Sequence, residues 1–125
     1  MRRTLEAFAR DGLNASFEGL VADDVELRPV FELAGGRRFI GITGFTRFMR
    51  EWTEALDDWT LRVDDLLDAG EAVVATLHQS ARGKASGVAV GGQFGVVFRL
   101  RDGHIARMEA YKTVAQALKA VGLAE

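Results

Sequence analysis

The chain has 125 residues, 48% hydrophobic and 27% charged, with one proline and no cysteine. That length suits one domain and that composition argues against disorder; no apolar run approaches the roughly 20 residues of a membrane span, and without thiols there are no disulfides or thiolate metal sites. Sixteen basic and 18 acidic side chains leave −2 overall, interspersed without a basic stripe, which argues against a nucleic-acid partner.

The opening MRRTLEAFARDG has two arginines but no apolar stretch of roughly 7–15 residues behind them, so no secretory leader, no membrane partner and a cytoplasmic location are expected. Leu5, Phe8 and Ala9 recur at helical spacing. After Asp11-Gly12 a second helical face follows with Leu13, Phe17, Leu20 and Val21, and Asp23-Asp24 closes it. Val25 to Pro29 alternates as a short strand that lies at an edge or stops there, because proline has no N–H for a ladder. Residues 30–42, with Gly35-Gly36-Arg37-Arg38, read as a loop; no Gly-Lys-Ser/Thr follows, so it is no phosphate loop.

Phe45, Phe48, Met49, Trp52 and Leu56 then form one wide helical stripe, opposite charged Arg47, Arg50, Glu51 and Glu54. From Asp57 the period is two. Trp59, Leu61 and Val63 alternate with Thr60, Arg62 and Asp64, until Asp65-Leu66-Leu67 breaks the parity and signals a bulge. Asp68 to Glu71 is a turn and Ala72 to Arg82 a long strand. Gly83, Gly91 and Gly92 punctuate a flexible connection to a strand from Gln93 to Arg101. Asp102-Gly103 is a two-residue hairpin signal, His104 to Lys112 the last strand, and Val114, Leu118 and Val121 mark a closing helix.

Helices segregated from a run of antiparallel strands predict an α+β fold. The expected form is a curved, mostly antiparallel sheet capped by three helices into a cone, whose interior is packed core or ligand pocket. The stretches AFARDGLNASFEGLVADDVEL, GRRFIGITGFTRFMREW and FRLRDGHIARMEAY resemble the SnoaL-like, polyketide-cyclase-like branch of the nuclear-transport-factor-two-like (cystatin-like) superfamily. The resemblance covers nearly the whole chain and implies one such domain over residues 1–125. It leaves the activity open, because this cone hosts isomerases, cyclases, hydrolases and pure binding domains.

The catalytic residues of these relatives are not spelled here. Ketosteroid-isomerase-like members use an Asp base with a Tyr and a second acid; the matching positions are Pro29 (Arg28 with a one-residue gap), Leu5 and Val96. Limonene-epoxide-hydrolase-like members use Arg-x-Asp with a further Asp, and the matching positions are Thr76, His78 and Ala110. Arg62-Val63-Asp64 has the right spelling one strand too early. SnoaL-type cyclases lean on an inward Asp and a His.

The same resemblance implies which strand residues face inward: Val74, Thr76, His78 and Ser80, then Phe94, Val96 and Phe98, then Met108, Ala110 and Lys112. With the helical stripe this gives a candidate ligand-binding set of Phe48, Trp52, Thr76, His78, Val96, Phe98, Met108, Ala110 and Lys112. His78 is the candidate catalytic residue, since imidazole is the side chain best suited to move a proton near neutrality; the bland reading is a hydrogen-bonded structural histidine. Lys112 either meets an anionic ligand at the rim or is a solvated strand end. Trp52, with Phe48 and Met49, either stacks on a flat ligand or fills the core. His104 is expected in the exposed turn.

On the other face, Ala75, Leu77, Val97, Arg99, Arg107, Glu109 and Tyr111 make a mixed surface. The relatives commonly dimerise through it, so a homodimer is expected. Two isolated histidines without clustered carboxylates give no metal site, and no cofactor is expected. The leading reading is a domain that binds a small apolar or aromatic molecule, with any cyclase- or isomerase-type turnover resting on His78. The alternative is a non-catalytic dimeric binding or scaffold module whose cone is filled by its own side chains.

Overall fold

The computed structural model describes residues 21–29 and 38–123. The expected N-terminal helices up to residue 20 and the glycine–arginine stretch 30–37 lie outside the described residues. The elements are β1 (Val21–Pro29), β2 (Phe39–Ile40), α1 (Gly41–Glu54), β3 (Leu56–Asp68), β4 (Ala72–Gly83), β5 (Ala89–Arg101), β6 (His104–Tyr111) and α2 (Val114–Ala120). The fold is α+β. Its six strands form one curved, unclosed sheet in the order β2-β1-β6-β5-β4-β3, antiparallel at every junction except β1–β6, which is parallel.

Several local features follow the chain's chemistry. Asp102 and Gly103 have φ values of 52° and 77°, the left-handed pair that a two-residue turn needs, and they bring Arg101 opposite His104. Pro29 is the last residue of β1, so the interior position of this strand costs no ladder donor beyond it. β3 carries two register shifts, between Asp57 and Thr60 and between Val63 and Asp65, the second at the expected parity break. The Thr113 hydroxyl accepts from the Gln116 backbone N–H at 3.1 Å and caps α2.

Three expectations need correction. Val21 to Asp24 belong to β1 rather than to a helix end, and Phe39–Ile40 form a short strand where a loop was expected. Gly91 and Gly92 sit inside β5, opposite Ser80 and Gln79, not in the connection. A Cβ on Gly91 would lie 2.2 Å from the Gln79 carbonyl oxygen, which is why only glycine fits. The described residues contain two helices, which pack on opposite faces of the sheet.

α1 follows β2 at one edge and runs into β3 at the other, so it spans the inner face. Its Phe45 and Phe48 pack on the main core of Val25, Leu27, Phe39, Leu77, Val96, Phe98, Ile105 and Met108. The shorter α2 covers Ala72, Val74 and Val97 from the outer side through Ala117. Gly95 permits that approach, since a Cβ there would stand 2.7 Å from the Ala117 Cβ and 3.0 Å from the Val114 Cα. Carbon atoms in contact normally sit about 3.5–4.0 Å apart.

Candidate functional site

Cross-strand pairs fix which face each side chain takes. Val96 and Phe98 of β5 pair with Ala75 and Val73 of β4 and with Ala110 and Met108 of β6. Val97 pairs with Val74 and Glu109. The inner row of β4 is therefore Val73, Ala75, Leu77, Gln79 and Ala81. Val74, Thr76, His78 and Ser80 take the outer face, reversing the expected parity of this one strand. On β5 and β6 the expected inner rows stand. A one-residue slip sends every side chain of a strand to the other face, so Thr76 and His78 leave the candidate site together.

Between α1 and the inner face lies a cavity of about 760 Å³. Phe45, Phe48, Met49 and Trp52 wall it from the helix, and Leu77, Gln79, Phe94, Val96, Phe98, Met108 and Ala110 from the strands. Lys112 lies at its rim, exposed. Seven of the nine expected residues thus share this space: Phe48, Trp52, Val96, Phe98, Met108, Ala110 and Lys112. The Phe48 and Trp52 rings stack with centroids 6.1 Å apart at 17°, and Phe39 meets Phe48 edge-on at 5.1 Å, so the helix presents a stiff aromatic wall.

The sequence reading missed Gln79 and Trp59. The Trp52 and Trp59 indole N–H groups each donate to Gln79 Oε1, both at 3.1 Å. Trp59 reaches this point because the shift between Asp57 and Thr60, with Asp58 at φ 55°, places one extra residue there, so Leu56 and Trp59 both face in. A polar residue in the otherwise apolar row Val73, Ala75, Leu77, Ala81 was the signal for Gln79, hidden by the reversed parity. Among the described residues no Asp, Glu or His lines the cavity. None of them forms a cluster of three metal-ligating side chains, and no helix among them is long and apolar enough to cross a membrane.

The charges gather on the outer face. Glu109, 6% exposed, accepts from Arg99 Nε at 3.1 Å, Arg107 Nη1 at 3.3 Å and the Tyr111 hydroxyl at 3.2 Å, which compensates its burial. Arg99 also donates to the Ala120 carbonyl at the end of α2. Burial, and next the Glu109 charge, push the Tyr111 phenol above its ordinary pKa. Arg62 Nε donates to Asp64 at 2.6 Å and holds that carboxyl below the usual range, with Gln93 adding a donor. This Arg-x-Asp thus sits across the sheet from the cavity. His78, opposite Arg62 and Gln93, is half-buried on the same face. The expected outer surface is corrected in part: Ala75 and Leu77 face inward, and Val97 is fully covered beneath α2. His104 is exposed in the turn, and its Nδ1–H donates to the Asp102 carbonyl at 3.0 Å.

The model of the SnoaL-like domain family matches residues 1–108, and the chain belongs to that family. No curated protein matches it. Among solved structures it is similar to a nuclear-transport-factor-two-like protein of unknown function from Burkholderia pseudomallei, at 21% identity and TM-score 0.74, covering 97% of this chain and 93% of that one. TerC, crystallised with polyporic acid, has 20% identity and TM-score 0.72, with 96% of each chain covered. A hypothetical protein with a ketosteroid-isomerase-like fold from Catenulispora acidiphila, in complex with trimethylamine, has 17% identity and TM-score 0.71, covering 96% of this chain and 92% of that one. At such identities the likeness is one of fold.

Proposed function

We propose that residues 1–125 form one SnoaL-like domain that binds a small, flat, mostly apolar molecule between α1 and the sheet. The observation that carries this is the open volume of about 760 Å³, well inside the range of ligand pockets, with an aromatic wall on one side and aliphatic strands on the other. That volume favours a binding cavity over a cone filled by its own side chains. Ligands in the TerC and Catenulispora structures are in keeping with the reading. Phe48, Trp52, Val96, Phe98, Met108 and Ala110 contact the ligand, and Lys112 faces any anionic group at the mouth. Turnover by His78 is no part of the proposal, because its ring lies on the other face. The domain works in the cytoplasm as a homodimer, through the outer strip around Arg62, Thr76, His78 and Gln93 that α2 leaves uncovered, without a nucleic-acid or membrane partner.

Calorimetric titration with fluorene, a flat hydrocarbon, tests the cavity. Wild-type protein is expected to bind it. Ala110→Phe, which pushes a ring into the space, is expected to weaken binding more than tenfold with an unchanged circular-dichroism spectrum. Equal binding by a folded Ala110→Phe variant would place the ligand elsewhere.

A further inference from the structure

We infer that Gln79 is the residue that reads the ligand's oxygen, and that the cavity selects planar molecules carrying a neutral carbonyl, such as aromatic ketones and quinones. This deepens the cavity reading and rests on it. Indole N–H groups only donate, so the Gln79 atom between Trp52 and Trp59 is the carbonyl oxygen, and both of its lone pairs are taken at 3.1 Å. The amide group is thereby locked. Its nitrogen must point the other way, and Nε2 makes no hydrogen bond to any described residue. No described buried side-chain nitrogen or oxygen lacks a partner, so Nε2 is not sealed in the core. Gln79 lines the cavity, and its two N–H donors open there.

The surroundings define what such a donor accepts. Around Gln79 the described wall is Trp52, Trp59, Leu77, Ala81 and Phe94, with no cation among these residues. A carboxylate brought there would lose its water for a single neutral amide, whereas a ketone oxygen exchanges one hydrogen bond for another. The stacked Phe48–Trp52 pair favours a flat ring system beside that oxygen. Two indole bonds hold the amide before the ligand arrives, so little ordering remains to be done on binding.

Fluorene and 9-fluorenone are the same shape and differ by the carbonyl, which makes them the probes. Wild-type protein is expected to bind 9-fluorenone about fivefold or more tighter than fluorene, and 9-fluorenone alone is expected to shift the Gln79 side-chain amide signals in a ¹⁵N–¹H spectrum. Gln79→Glu keeps an oxygen acceptor for both indoles and, assayed at a pH where the carboxylate is ionised, has no donor. It is expected to lose the preference, read as the ratio of the two affinities within the same variant. Gln79→Met, uncharged and of similar length, lacks both donor and amide oxygen; it is expected to bind the two probes with equal affinity, whatever that affinity is, and covers the case in which the carboxylate disturbs folding. Equal wild-type affinity for the two probes, or a preference that survives both substitutions, overturns the role of Gln79 and leaves the cavity intact. Failure of the wild type to bind either probe overturns the cavity reading and this inference with it.

Discussion

Leu77 and His78 are neighbours on β4 that the fold sends to opposite faces, so replacing each by alanine tests the whole face assignment. Leu77 is 4% exposed and packs in the main core, where Leu77→Ala removes three carbon atoms. At about 0.8 kcal/mol per buried methylene the transfer cost is about 2.4 kcal/mol. The vacancy opens onto space that already exists, so little is added for a new closed void and the total stays at about 2–3 kcal/mol. At roughly 4 °C per kcal/mol for a chain of this size, the melting temperature should fall by about 10 °C. His78 is half-buried on the outer face, its ring making no hydrogen bond to a described residue, and His78→Ala should stay within about 0.5 kcal/mol. Urea and thermal unfolding followed by circular dichroism measure both. A His78→Ala loss as large as that of Leu77→Ala, or a silent Leu77→Ala, would put the even-numbered residues of β4 inside and refute the reasoning.

Tyr111 is the only tyrosine in the sequence, so tyrosinate absorbance reports it alone. Burial raises its pKa first and Glu109 second. The midpoint should lie above the ordinary value of about 10, and Glu109→Gln should lower it without abolishing the shift; a midpoint at or below about 10 contradicts the account. Because the folded-state pKa is raised, the neutral phenol's contribution to stability is fully present below about pH 10 and is lost as pH rises through the folded value. Light scattering at micromolar concentration should give twice the 13.7 kDa chain mass, and Thr76→Arg on the outer strip should return it to one chain; a monomeric wild type contradicts the dimer.

Much of the fold was legible because its signals are local. Asp102-Gly103 carries its turn in two residues, and the stripe Phe45, Phe48, Met49, Trp52 is periodic enough to place a helix and its buried side. β5 and β6 have large residues on the inner face at Phe94, Phe98 and Met108, so their parity survived. β4 did not, for a physical reason. Residues 72–75 are apolar on both faces because α2 covers Ala72 and Val74 while the inner core covers Ala75, so alternation is erased where the strand begins. Only Leu77 against His78 still carried the period, and parity taken from a family likeness overrode it. Short β2 has two residues and no pattern to find. The bulge at Asp58 was also invisible, since a left-handed aspartate looks like any other in sequence.

The distribution of charge explains why a misread strand matters so much here. The outer face holds Glu26, Arg62, Asp64, Arg99, Arg107 and Glu109 in ion pairs, while the inner row of β4 offers one amide, Gln79, among hydrocarbon. Acid–base chemistry and apolar recognition are thus separated by the thickness of a single sheet, and a one-residue slip exchanges them. With His78 inside, an imidazole would face the cavity; with Gln79 inside, the described wall of β4 carries a neutral amide there instead. The two Trp-to-Gln bonds favour the second arrangement on energetic grounds. Turning Gln79 outward would break both of these hydrogen bonds, at about 0.5–1.5 kcal/mol each.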